Sequence, residues 1–237
     1  MIKILDEKKG RFHYSTTLIL LTIFLFINMT YKKEAILYLA EFLASLSFTI
    51  LASFYPGIAE SKGIPISLIG FILSLDPIIG LPTSILVGKA MTFISRKKIL
   101  IVGLVFGGLG TFLLGMIDLF EGTNAILVSL ASRVLAGFGA GCSMTASSSI
   151  LVQEYPNEVD RVISYFEAAS GLGLLLGPIF GSLLNLYRIS VTFSAFALFF
   201  IAFAMFTYKN LDVHEQGIDN VSSLPLKVIV TKPVLFI

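Results

Sequence analysis

The sequence predicts an all-α, polytopic membrane protein built as a bundle of six transmembrane helices, and three observations carry that class. Of the 237 residues 56% are hydrophobic and only 14% charged, with a mean hydropathy of +0.91, more apolar surface than a soluble core of this size has to bury. The apolar residues gather into repeated blocks of about twenty, the length that crosses a bilayer. Lys and Arg collect in alternate connecting loops, as they do when one side faces the cytoplasm. The net charge of +2 selects no nucleic acid or other charged partner, and the lone Cys142 excludes an intrachain disulfide. His13 and His214 both lie in polar flanks, so no metal cluster, cofactor or histidine-based catalytic site is expected within the spans.

The six spans are read at about 35–58, 65–88, 98–118, 123–152, 162–187 and 189–208. The third holds no charge from Ile99 to Ile117 and carries five glycines, whereas the sixth is Phe-rich; the third is expected to pack inside and the sixth to face lipid. With the first span starting in the cytoplasm, the inner side receives Lys32, Lys33, Lys89, Arg96, Lys97, Lys98, Arg161 and Lys209, and the outer loops hold Lys62 and Arg188. Residues 1–34 form a tail whose apolar stretch, Tyr14 to Tyr31, reads as an extra anchor helix, an interfacial segment or, third in order, a signal peptide. Residues 209–237 read as a cytoplasmic linker followed by the start of a seventh helix, which suggests a fragment of a chain about twice as long.

Within the spans, small residues and charges stand out. In the fifth, Gly173, Gly177 and Gly181 lie four apart on one helical face beside Pro178, a pattern for close helix packing at a kink. In the fourth, Arg133 heads a mostly small stripe through Gly137, Ala140 and Gly141, so its charge should meet a cavity or an acid instead of lipid. Three acids are candidates to answer it. Asp76 sits mid-span directly before Pro77, where it serves either function or the proline kink; Glu167 lies one to two turns into the fifth span; Glu41, near the cytoplasmic end of the first, reads as structural. Gly88, Arg96, Lys97 and Lys98 mark a tight basic turn between the second and third spans, set to meet anionic headgroups. With no second mid-membrane aspartate beside Asp76, an intramembrane enzyme is not expected.

These pieces together resemble the amino-terminal half of the major facilitator superfamily. The turn resembles that family's G-x-L-a-D-r-x-G-r-k-k signature at Gly88, Arg96, Lys97 and Lys98, with Thr92 in place of the aspartate and Ser95 in place of the second glycine. Arg133 and Gly137 resemble its fourth-helix R-x-x-q-G signature, with Ala136 for the glutamine, and Gly173, Gly177, Pro178 and Gly181 its fifth-helix antiporter signature. With Ser164 to Gly171, the likeness extends to the drug:proton antiporter branch that includes vesicular amine and polyamine transporters. The resemblance implies proton-coupled antiport of a small, cationic organic solute by alternating access, with Arg133, Asp76 and Glu167 as coupling residues and a second six-helix half as partner. The alternative is a non-transporting, partner-binding six-helix membrane protein. Which membrane holds it is undetermined: plasma, vesicular and vacuolar membranes all fit.

Overall fold

The computed structural model describes residues 33–184 and 189–213. The apolar stretch 14–31, the stretch after residue 213 and Arg188 lie outside them. Among the described residues six helices run in succession: α1 Lys33–Ser61, α2 Ile66–Ala90, α3 Arg96–Gly115, α4 Gly122–Glu154, α5 Val159–Leu184 and α6 Ile189–Asn210. A short 3₁₀ turn, Met116–Leu119, follows α3. No strand occurs among the described residues. All six are long and apolar enough to cross a membrane.

The helices match the expected spans and run a few residues longer at several ends. α1 includes Lys33 and Glu34, inside the stretch assigned to the tail, and both are tied into the bundle. Lys33 Nζ lies 3.1 Å from Glu154 of α4, and Glu34 meets Arg161 of α5 at 3.5 Å. Arg161 also pairs with Glu158, and Tyr38 Oη donates to Glu34 at 3.3 Å. This end of the bundle gathers most of the basic residues; Lys62, at the opposite end, donates instead to the Phe120 carbonyl at 2.7 Å.

The turn leaving α1 shows why that helix stops there. Gly63 adopts φ 75°, its N–H donates to the Glu60 carbonyl, and the Ile64 N–H reaches back to Ala59, so two orphan carbonyls are capped. Pro65 follows directly and starts α2.

Inside the bundle α1 pairs with α5, α2 with α4, and α3 with both α4 and α6. The α3 glycines explain its double contact. A Cβ on Gly103 or Gly110 would come within 2.8 Å of α4 backbone atoms, while Gly108 and Gly115 sit under Phe200 and Phe193 of α6. Lipid tails supply little hydrophobic drive between helices, so such close approach, through dispersion, is what holds them. Half of the most apolar window of α3 is buried against a third of that of α6, the order its glycines predict.

Several hydroxyls inside the spans turn back on their own helix: Thr49 donates to the Ser45 carbonyl, Thr83 to Ile79 and Thr111 to Gly107. Their polar groups are thereby satisfied without water.

Candidate functional site

Arg133 and Asp76 meet at the same depth because α2 and α4 run in parallel from the same end. Asp76 is ten residues into α2 and Arg133 eleven into α4, or roughly 15 and 16 Å at 1.5 Å per residue. Arg133 Nη1 donates to Asp76 Oδ2 at 2.7 Å, and Nη2 donates to Ser132 Oγ at 3.1 Å. Arg133 is only 4% exposed and Asp76 9%. Glycine makes this closeness possible: a Cβ on Gly137 would sit 2.7 Å from the Asp76 carbonyl, and one on Gly141 2.6 Å from that of Gly80.

The pair is not closed on itself. Asp76 Oδ1 and Arg133 Nε are buried with no hydrogen-bond partner among the described residues. Both side chains line a half-open cavity of about 490 Å³, within the size range of small-molecule sites. Its walls come mainly from α1, α2, α3 and α4; Leu174 of α5 and Phe200 of α6 add apolar surface. Ala136, Gly139 and Ala140 leave room beside the arginine. The lining thus joins apolar and small residues to polar ones, among them Ser45, Ser84, Thr111 and Ser143.

Glu167 stands apart from the Arg133–Asp76 pair. It is exposed, does not line this cavity, and interacts electrostatically with Glu41. Glu41, read from sequence as structural, does line the cavity and is 8% exposed. The signal for it was the phase of α1: Glu41, Ser45 and Phe48 recur at i, i+4 and i+7, one helical face, and all three line the cavity. Ser45 Oγ and Ser170 Oγ of α5 are 2.8 Å apart, and Ser170 hydrogen-bonds to Glu41.

The glycine motif of α5 packs on α1. A Cβ on Gly173 would fall 2.6 Å from the Phe42 carbonyl, one on Gly177 2.5 Å from Thr49 Cβ, and one on Gly181 against the Phe54 ring. Pro178 lies inside the helix between the last two. At the basic turn, Arg96 Nε donates to Ser149 Oγ of α4 at 2.9 Å, and Lys97 Nζ stands 5.3 Å from the Tyr208 ring of α6. Thr92, in the aspartate position, donates to the Lys89 carbonyl, and Lys98 and Gly88 are exposed.

Known proteins agree with this architecture. The chain is 38% identical over 140 residues to MFS-type transporter SLC18B1 of Mus musculus, a match covering 59% of this chain and 30% of that protein. It is 26% identical over 180 residues to Multidrug resistance protein 2 of Bacillus subtilis, covering 74% of this chain and 44% of the relative. Riboflavin transporter RibZ of Clostridioides difficile is 24% identical over 150 residues, 63% of this chain and 32% of that protein. The chain thus spans about a third to under half of the length of these relatives. Residues 37–237 match the Major Facilitator Superfamily, and with six apolar helices this chain is a multi-pass integral membrane protein that belongs to that superfamily.

Proposed function

We propose that the protein is one six-helix bundle of a secondary transporter that exchanges protons for a small organic, cationic solute. The observation that carries this reading is the Arg133–Asp76 pair, buried at mid-span and open through Oδ1 and Nε to a cavity of solute size. Charges at that depth are costly and persist where an ion, proton or polar solute passes. Arg133 and Asp76 form the coupling pair: a proton on Asp76 removes the attraction that holds α2 to the Arg133 side chain, and loss of the proton restores it. Glu167 is the second acid, acting through Glu41.

The solute then sits near the bilayer midplane, between this bundle and a second one, and access alternates as the two rock. Supporting this, α2 and α5 flank the cavity and expose Leu81, Ile85, Leu172 and Leu175. The basic end, with Arg96, Lys97 and Lys98, faces the cytoplasm. Gly137, Gly173 and Gly177 serve the motion by letting helices come close, Gly181 by seating the Phe54 ring, Pro178 by bending α5, and Gly88 by its place in the basic turn.

Uptake of a panel of labelled organic cations into proteoliposomes that hold this bundle together with a second six-helix bundle, with and without an imposed proton gradient, tests the reading. The expected result is accumulation driven by an acid interior and abolished by a protonophore. Accumulation that ignores the gradient would remove proton coupling, and none at all would favour a partner-binding membrane protein without transport.

A further inference from the structure

Arg133 has more donors than its acid takes up. Nη1 goes to Asp76 and Nη2 to Ser132, while Nε is buried without a partner among the described residues. A helical side chain leans toward the start of its own helix, so the guanidinium reaches back along α4 toward Ser129, one turn nearer the end opposite the basic one. Tyr55 of α1 stands at that level: it is six residues from the end of α1, roughly 9 Å, and Ser129 is seven residues into α4, roughly 11 Å. Tyr55 is 1% exposed, and its Oη is buried with no hydrogen-bond partner among the described residues. The Ser129 hydroxyl beside it donates to the Ala125 carbonyl at 2.8 Å, so it has no hydrogen to give the Tyr55 oxygen. Among the described residues the groups that act on the Arg133 charge are Asp76 of α2 and Tyr55 of α1.

We propose, resting on the coupling reading above, that Tyr55 is a positioning residue whose Oη is the second seat of the Arg133 guanidinium, taken when Asp76 loses its charge. With Asp76 ionised, attraction between opposite charges keeps the guanidinium on α2 and leaves the Tyr55 lone pairs unused. Neutralising Asp76 leaves a buried cation without its counter-ion, and a buried cation needs acceptors. The phenol oxygen supplies one, and a bond to it from a guanidinium is charge-assisted. Rotation of the long arginine side chain between its staggered positions makes the move without shifting α4. In it α4 lets go of α2 and takes hold of α1. Arg133 lines the cavity, whereas Tyr55 and Ser129 do not, so the same movement draws positive charge out of the space where a solute sits. One proton then sets both the charge that the solute meets and the helix that α4 holds.

The test uses the 237-residue protein in lipid nanodiscs and asks whether the cost of losing the Tyr55 hydroxyl depends on the charge at residue 76. Tyr55→Phe alone removes a buried oxygen that has no partner, so the folding equilibrium constant should stay level or rise. In an Asp76→Asn background, the stand-in for the protonated acid, the same change should lower it about tenfold to a hundredfold, the loss of one hydrogen bond to a charged group. Asp76→Leu, which leaves no acceptor at that place on α2, should show at least as large a loss, and where it does not fold Asp76→Asn carries the comparison. Tyr208→Phe, at an exposed tyrosine of α6, should cost the same in every background. A second measurement reads the seat directly. In protein isotope-labelled at the tyrosine Cζ, the Tyr55 resonance, identified by its loss in Tyr55→Phe, should move on Asp76→Asn, and that of Tyr208 should not. An equal cost of Tyr55→Phe whatever stands at residue 76, or a Tyr55 resonance that ignores the substitution, overturns the second seat and leaves the coupling pair to be judged by uptake. Uptake that ignores the proton gradient removes the proton as the trigger, while a background-dependent cost still reports the seat.

Discussion

The α2/α4 seam and the α1/α5 seam are both closed by glycines, yet they are built to different tolerances. Along α2/α4, backbone meets backbone: Gly137 lies under the Asp76 carbonyl and Gly141 under that of Gly80, and the Arg133–Asp76 pair crosses between them. Along α1/α5, contact grades from backbone to side chain. Gly173 meets a carbonyl, Gly177 a β-carbon and Gly181 the edge of the Phe54 ring. A carbonyl cannot yield without moving its helix, whereas a ring can turn about its own bonds. The first seam is therefore rigid, and the second loosens away from the basic end. The first holds the charged pair in register, and the second has side chains that can give.

The largest effect should come from breaking the charge across the rigid seam. Arg133→Met leaves Asp76 buried without its counter-ion, a loss of about 3–5 kcal/mol when one partner of a buried pair is removed. Adding Asp76→Leu should return most of it, since an apolar pair of similar volume avoids desolvation altogether. Thermal unfolding in detergent, followed by helical circular dichroism, would report the cycle. Additive losses in the double variant would mean that the two residues do not support each other.

The glycines give the next contrast. Gly137→Ala forces a β-carbon to 2.7 Å from a carbonyl oxygen and should cost about 1–3 kcal/mol through overpacking. Gly181→Ala presses on a ring that can swing aside, so its cost should stay below about 1 kcal/mol. Gly171, with nothing within 4 Å, is the baseline: alanine there should be neutral or slightly stabilising. Relative melting temperatures of the three variants decide the matter, and equal losses at Gly137 and Gly181 would erase the distinction between the seams.

Sequence made the bundle legible because lipid imposes simple rules of length, charge skew and small-residue spacing. It also marked Arg133 and Asp76, since charge at mid-span is conspicuous in any apolar helix. What it could not supply was pairing. The spacing of Gly173, Gly177 and Gly181 said that some helix comes close, and only the fold shows that it is α1. Glu41 was obscured for a related reason. Eight residues from the start of a helix, an acid reads as one reaching back to headgroups; its burial depends on α5 and on the turn of α1 toward the cavity.

The smallest effect concerns the hydroxyl pair of the looser seam. Ser45 Oγ and Ser170 Oγ, 2.8 Å apart, join α1 to α5 one turn from Gly173. A hydrogen bond between transmembrane helices contributes about 0.6 kcal/mol on average, and rarely more than about 1.7, because the separated helices find other partners in the membrane. Ser45→Ala and Ser170→Ala should each be mild for stability, and a double-mutant cycle should return a coupling of that size. Their single effects should be unequal, because Ser170→Ala also removes the hydroxyl that hydrogen-bonds to the buried Glu41, whereas Ser45→Ala breaks the hydroxyl pair alone. Equal losses would mean that the Ser170 contact with Glu41 adds nothing to stability, and a coupling near zero would mean that the two hydroxyls do not join the helices in the membrane.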